Sequence, residues 1–264
     1  MPVVHSRVPP DWSTRRPTIG VVTLPETEAG TGVQRVLVVT AHPDDVDFAA
    51  AGTIAAWTAA GMRVVYCVTT FGDAGGFDET PRDEMRVRRE AEQRKAAAML
   101  GVTEVTFLGY PDGRVFVTHE LRRDITREIR RFRPHRVLTH SPDRNWERIP
   151  ASHPDHLAVG EATLCAVYPD ARNAFAHPEL LVSEGLEAWT VAEVWLAGGP
   201  WANHYVDITD TVDRKVAALR EHVSQTAHMD NLEEMIRRLL GANAITGGLP
   251  QGRLAEAFQV VSTA

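Results

Sequence analysis

The sequence predicts an α/β fold with a parallel sheet covered on both faces by helices. Three observations predict it. Apolar runs such as Val36-Leu37-Val38-Val39 alternate with helical patterns along the chain. The runs read as buried strands, which a parallel sheet with two covered faces requires. Polar clusters follow five successive strands, on the one rim where open parallel sheets bind ligands.

Residues 1–33 are rich in proline, threonine and charge, with one short apolar stretch, Ile19-Gly20-Val21-Val22. They read as an N-terminal arm or outer strand that could serve subunit contact, and residues 34–264 as a single α/β domain. Val36–Thr40 is the first core strand. Phe48–Ala60 is a helix stopped by Gly61, and Arg63–Thr70 the second strand. Arg82–Leu100 is a charged amphipathic helix ended by Gly101, before a third strand at Glu104–Leu108. Glu120–Phe132 is a helix closed by Pro134, and Arg136–Thr139 the fourth strand. His153–Tyr168 is helical, Val191–Leu196 is the fifth strand, and Asp210–Gln225 is a helix capped by Thr209 or Asp210.

Bulk properties narrow the function. A net charge of -7 disfavours nucleic acid and anionic membranes as partners. No run approaches the roughly 18–20 apolar residues of a membrane span. The N-terminus has no secretory h-region, and Cys67 and Cys165 sit in apolar sequence as free thiols would. A cytoplasmic location is expected, and a homo-oligomer is compatible with the chain. Neither a GxGxxG nor a Walker A pattern is present, so there is no dinucleotide-binding loop.

The chemistry lies in two clusters. Ala41-His42-Pro43-Asp44-Asp45 follows the first strand, and His153-Pro154-Asp155-His156 opens a later helix. Imidazole and carboxylate are ligands for zinc and other borderline ions. Asp44 and Asp45 are adjacent and point different ways, so one can bind metal while the other faces a water. Either alone would read as a helix cap, and the second cluster alone as a solvated helix start with Pro154 at its first position. Together they supply His/Asp/His ligands with a spare aspartate and a spare histidine. A metal held so lowers the pKa of its water and polarises a substrate oxygen, an unligated carboxylate takes the proton, and an imidazole stabilises the oxyanion. Hydrolysis of an amide, an ester or another carbonyl derivative fits.

These two motifs, in this order, resemble the PIG-L/LmbE family of zinc-dependent N-acetylglucosaminyl deacetylases. Asp73-Ala74-Gly75-Gly76, Arg89-x-x-Glu92, Gly109-Tyr110-Pro111-Asp112-Gly113, His204-Tyr205-Val206-Asp207-Ile208-Thr209 and Lys215 through His222-x-Ser224-Gln225 extend the resemblance over residues 35–226. It implies a Rossmann-like three-layer sandwich with a mostly parallel sheet and no nucleotide. It implies Zn2+, or Fe2+ or Co2+ in its place, held by His42, Asp45 and His156. Asp44 would be the general base. His153 would stabilise the oxyanion and could also protonate the leaving amine, with Asp155 as its partner. Arg89 matches a family arginine on the sugar side. The family motif carries Glu after the paired aspartates; here Val46 stands there, followed by Asp47.

Substrate contacts are expected from Arg89, Asp73, Trp146 and His204. Asp73 serves equally as a turn residue beside glycines. Trp146 and Trp201 could stack on a sugar from two sides, with Phe71, Phe77 and Tyr110 as apolar walls. The expected function is removal of an acetyl or related acyl group from a small N-acyl amino sugar. A thiol-conjugate amidase, an esterase, or a noncatalytic sugar binder are the alternatives.

Overall fold

The computed structural model describes residues 20–22, 32 and 34–263. Its strands are β1 (Gly20–Val22), β2 (Arg35–Thr40), β3 (Arg63–Thr70), β4 (Val105–Tyr110), β5 (Arg136–His140), β6 (Glu193–Ala197), β7 (His204–Asp207) and β8 (Ala255–Ser262). They form one sheet in the order β1-β7-β8-β6-β5-β2-β3-β4. Every pairing is parallel except those of β8, which is antiparallel to both β6 and β7. Of the N-terminal segment, residues 20–22 form the outer strand; the rest of the proposed arm, Gly32 excepted, lies outside the described residues.

The strands lack a polar face because both faces are covered. Val36 and Val38 join Val64, Tyr66 and Val68 in one core, while Leu37 and Val39 join Val65 and Cys67 in the other. The first core is roofed by α1 (Asp45–Ala59), α2 (Arg82–Met99), α6 (Val212–Glu221) and α8 (Leu232–Thr246). The second is roofed by α3 (His119–Phe132) and α4 (Pro154–Cys165). The stops expected at Gly61 and Gly101 are present, both at positive φ (85° and 83°). Val46 is fully buried in the first core. Cys67 and Cys165 are free. No described helix is long and apolar enough to cross a membrane.

Several boundaries differ from expectation for local reasons. α1 begins at Asp45 rather than Phe48, because the Asp44 carbonyl already accepts from the Asp47 and Phe48 N–H groups. α4 ends at Cys165, and a wide turn follows in which Tyr168 is extended and Pro169 has no N–H to donate. The helix expected over 210–225 starts after Thr211 and breaks at His222 into α6 and a short α7 (Val223–Thr226). Thr209 does not cap it: its hydroxyl donates to Asp207. α5 (Pro178–Val182), β7, α8 and β8 carry too little apolar periodicity to be read from sequence, or lie past the segment assigned there.

One close approach brings the two motifs together. A Cβ on Gly160 of α4 would stand 2.5 Å from the carbonyl oxygen of His140 at the end of β5. Glycine there lets α4 lie against the strand end, which carries His156 to the rim beside His42.

Candidate metal centre

The chain runs β2 to β3 to β4 on one side of β2, then returns to β5 on the other. The gap between β2 and β5 is therefore the switch point where parallel sheets open a crevice at their carboxyl ends. His42, Asp44 and Asp45 follow β2, and His140, His153 and His156 follow or end β5.

Three donor groups converge there. His42 Nδ1 lies 3.3 Å from His156 Nε2 and 3.4 Å from Asp45 Oδ2, and His156 Nε2 lies 3.0 Å from Asp45 Oδ1. Ligands bound at about 2.0–2.1 Å around a tetrahedral ion stand about 3.3–3.4 Å apart, so the spacing fits. The tautomers fit as well. His42 Nε2 faces Asp112 Oδ1 at 3.1 Å and Asp155 Oδ2 at 3.2 Å, so its proton sits on that side. His156 Nδ1 faces the Ala151 carbonyl at 3.3 Å, which only an N–H can satisfy. With those protons placed, His42 Nδ1 and His156 Nε2 turn toward each other and toward Asp45, where a proton or a metal ion can sit between them.

The carboxylates around these rings favour positive charge at this point, whether a proton or a metal ion carries it. Burial opposes charge on His42, yet Asp45, Asp112 and Asp155 push its pKa up to about 12. His156 is also raised, by Asp45 against burial. Despite its burial, Asp45 is held well below the usual carboxylate range by His156, His42 and His140. Its Oδ2 accepts the His42 backbone N–H at 2.7 Å and lies 3.2 Å from His140 Nε2. His140 stacks on His156 with centroids 4.1 Å apart, and burial with the His156 charge lowers its pKa to about 4, keeping it neutral.

Sequence reasoning missed His140 and Asp112 as site residues. His140 opened the polar loop expected after the fourth strand, and Asp112 stood inside a quoted motif without a role. It also paired Asp155 with His153. In the structure the Asp155 carboxylate lies behind His42 and accepts the Gly113 and Val115 N–H groups, at 2.8 and 3.2 Å. It is the Asp155 backbone N–H that meets His153, donating to Nδ1 at 3.2 Å as an N-cap bond of α4. That bond leaves the His153 proton on Nε2. Burial and the neighbouring charges of His42 and His156 lower its pKa, so the ring is a neutral donor beside the centre. Donor atoms of His42, His153 and His156 lie within 4.8 Å of one another.

Asp44 sits at φ 84°, a left-handed backbone that costs a non-glycine residue about 1–3 kcal/mol and needs surrounding structure to hold it. Gln93 Oε1 accepts its N–H at 2.8 Å. Arg89 Nη2 donates to Pro43 O at 2.8 Å and to Asp44 Oδ2 at 3.2 Å, and Nη1 donates to Gly72 O at 2.6 Å. Burial raises the Asp44 pKa to about 6, against the lowering pull of Arg89 and with a further rise from Asp45. No described residue bonds Asp44 Oδ1.

The expected sugar contacts fare unevenly. Arg89 is buried with both guanidinium ends occupied by protein, so it holds the turn instead of facing solvent. A Cβ on Gly72 would meet its guanidinium at 2.5 Å. Asp73 is paired with Arg82 at 2.8 Å. His204 does not reach the centre: its ring packs on Trp195, 4.7 Å between centroids, and its Nε2 is sealed without a partner. Phe71 is stacked on Phe107, and the Tyr110 hydroxyl donates to Asp124, so neither is a free wall. Trp146, Trp201 and Phe77 are exposed.

Fold and site together define an enzyme of α/β architecture with a cluster of groups able to hold a metal ion. The family model described as GlcNAc-PI de-N-acetylase (PIG-L) matches residues 37–167. The diacetylchitobiose deacetylase of Thermococcus kodakarensis is 34% identical over 194 residues, 73% of this chain and 70% of that protein. The 1D-myo-inositol 2-acetamido-2-deoxy-alpha-D-glucopyranoside deacetylase 1 of Saccharopolyspora erythraea is 31% identical over 243 residues, covering 74% and 78% of the two chains. The solved N,N'-diacetylchitobiose deacetylase of Pyrococcus horikoshii, in complex with an inhibitor, superposes with a TM-score of 0.81 at 27% identity over 90% of this chain and 87% of that one. The chain belongs to the PIG-L family, and it is an N-deacetylase of N-acyl amino sugars.

Proposed function

We propose that this chain removes the acetyl group from a small N-acetylglucosaminide, with the metal held by His42, Asp45 and His156. The supporting observation is the pair of inward-facing ring nitrogens, His42 Nδ1 and His156 Nε2, oriented by Asp112 and Asp155 behind His42 and by the Ala151 carbonyl behind His156. Two nitrogens and a carboxylate suit zinc, and iron(II) or cobalt(II) accept the same set. When bound, such a metal supplies Lewis acidity, acidifying a water and polarising the amide carbonyl.

The remaining steps belong to the chain. Asp44, with Oδ2 held by Arg89, takes the proton of the attacking water and is the group able to return it to the departing nitrogen. His153, neutral with its proton on Nε2, donates to the oxyanion; its Nδ1 is already used by the helix amide. Trp146 and Trp201 offer exposed rings for the sugar. Their loops are tied together, since Asn145 Nδ2 donates to the Gly198 and Gly199 carbonyls at 3.3 Å.

The test is metal content of the purified protein, paired with acetate release from a panel of N-acetylglucosaminides. About one metal per chain and chelator-sensitive release supports the reading. Bound metal without release moves the substrate to another acyl group or scaffold; no metal after supplementation removes the proposed ligand set. His153→Ala should lower kcat by about 10²–10³-fold, the usual loss for one oxyanion donor. Metal content should stay near that of the wild type; an equal loss of metal would make His153 a ligand.

A further inference from the structure

We propose that His222, acting through Asp47 and Gln93, is a positioning residue for the Asp44 carboxylate. The inference rests on the reading of Asp44 as general base.

The four residues form a directional chain. Gln93 Oε1 must accept the Asp44 N–H, so its amide nitrogen points the other way and donates to Asp47 Oδ2 at 2.8 Å. His222 Nε2 meets the same Oδ2 at 2.8 Å and must carry the proton, because a carboxylate only accepts. Gln93, Asp47 and His222 are fully buried, so solvent cannot replace a lost member. Asp47 Oδ1 has no partner. Without His222 the buried carboxylate would keep one amide donor, a costly arrangement that the turn can relieve by moving.

The position of His222 in the fold makes it a clamp. It stands at the break between α6 and α7, with backbone φ -81° and ψ 57°, unlike either helix. α7 is fastened to α2 next door: the Ser224 N–H and hydroxyl donate to the two oxygens of Glu92, at 2.9 and 2.6 Å. Arg89, Glu92 and Gln93 share one face of α2. Arg89 and Gln93 hold the Asp44 turn, while Glu92 holds α7. Asp44 keeps its left-handed φ because side chain, backbone N–H and the preceding carbonyl are all gripped from this face. A single continuous helix over 210–225 would not present His222 at this break.

The test uses His222→Ala, His222→Gln and Gln93→Glu in the full chain, read by kinetics, metal content and crystal structure. Gln93→Glu keeps an acceptor for the Asp44 N–H but sets a carboxylate against Asp47. His222→Ala and Gln93→Glu should each lower kcat at least about tenfold, about 1.4 kcal/mol in the barrier. KM and metal per chain should stay within about twofold. His222→Gln should recover most of kcat, since its amide can donate to Asp47. Crystal structures should show Asp44 near φ 84° in wild type and His222→Gln, and out of the left-handed region in the other two. Asp44 unmoved with kcat unchanged overturns the proposal, as does metal lost in step with kcat. If His222→Ala does not fold, Gln93→Glu and His222→Gln carry the test. If wild type releases no acetate from any substrate, the substrate reading fails and the Asp44 backbone decides the proposal by itself.

Discussion

Replacing Asp44 with asparagine lowers kcat by roughly 10²–10⁴-fold, the span of a lost general base, while bound metal stays near one per chain. The side chain keeps its size and can still accept from Arg89 Nη2, so the turn survives. Asp44 is not among the three groups that converge on the centre, so the ligand geometry survives too. What is lost is the ability to accept a proton. The pH profile carries the same information. Burial raises this carboxyl to about 6, and a divalent cation beside it would pull it back down. The acid limb of kcat/KM should therefore lie at or below about pH 6, with activity rising as Asp44 ionises. Steady-state kinetics and metal analysis on the same preparation check both halves. Asp44→Asn with wild-type turnover would remove Asp44 from the chemistry.

His156→Ala has the opposite signature: metal and activity vanish together. Two of the three converging groups come from one turn after β2, and His156 supplies the third from α4. Without it, His42 and Asp45 remain, fewer than the three protein ligands of catalytic zinc sites. His140 is the nearest replacement, stacked on the same ring, but its Nε2 already meets the Ala41 N–H at 3.1 Å and Asp45 Oδ2. Metal analysis after dialysis against a weak chelator, with acetate release on the same sample, distinguishes this from Asp44→Asn. Full metal retention in His156→Ala would shift the ligand role to His140 or His153.

The parts of this protein that were legible in its sequence are those with local signals. The apolar runs of β2 to β6 and the glycine stops of α1 and α2 gave the alternation and hence the rim. The two clusters pointed to the proposed ligands because residue type and spacing are themselves the signal there. The supports were hidden for a physical reason. Asp112, His140, Asp47 and His222 act across 46 to 175 residues of chain, and a lone buried polar residue looks the same in sequence whether it steadies a ligand or caps a turn. Asp155 shows the limit most clearly: His153 stands two residues before it in sequence, but its carboxylate serves His42. Arg89 matched a sugar-side arginine in sequence, while its depth beneath the Gly72 loop appears only in three dimensions.

The position of β8 sets the order in which the sheet can be completed. This strand is C-terminal to every other, yet it lies between β6 and β7 and joins them. As the chain leaves the ribosome, β6 and β7 each wait with a bare edge until residues 255–262 emerge, an invitation to pairing with a neighbouring nascent chain. The crevice between β2 and β5 needs only earlier segments. A ribosome-arrested chain ending before residue 255 would thus carry every proposed ligand on a half-built sheet, and chaperone demand should peak in that window of synthesis.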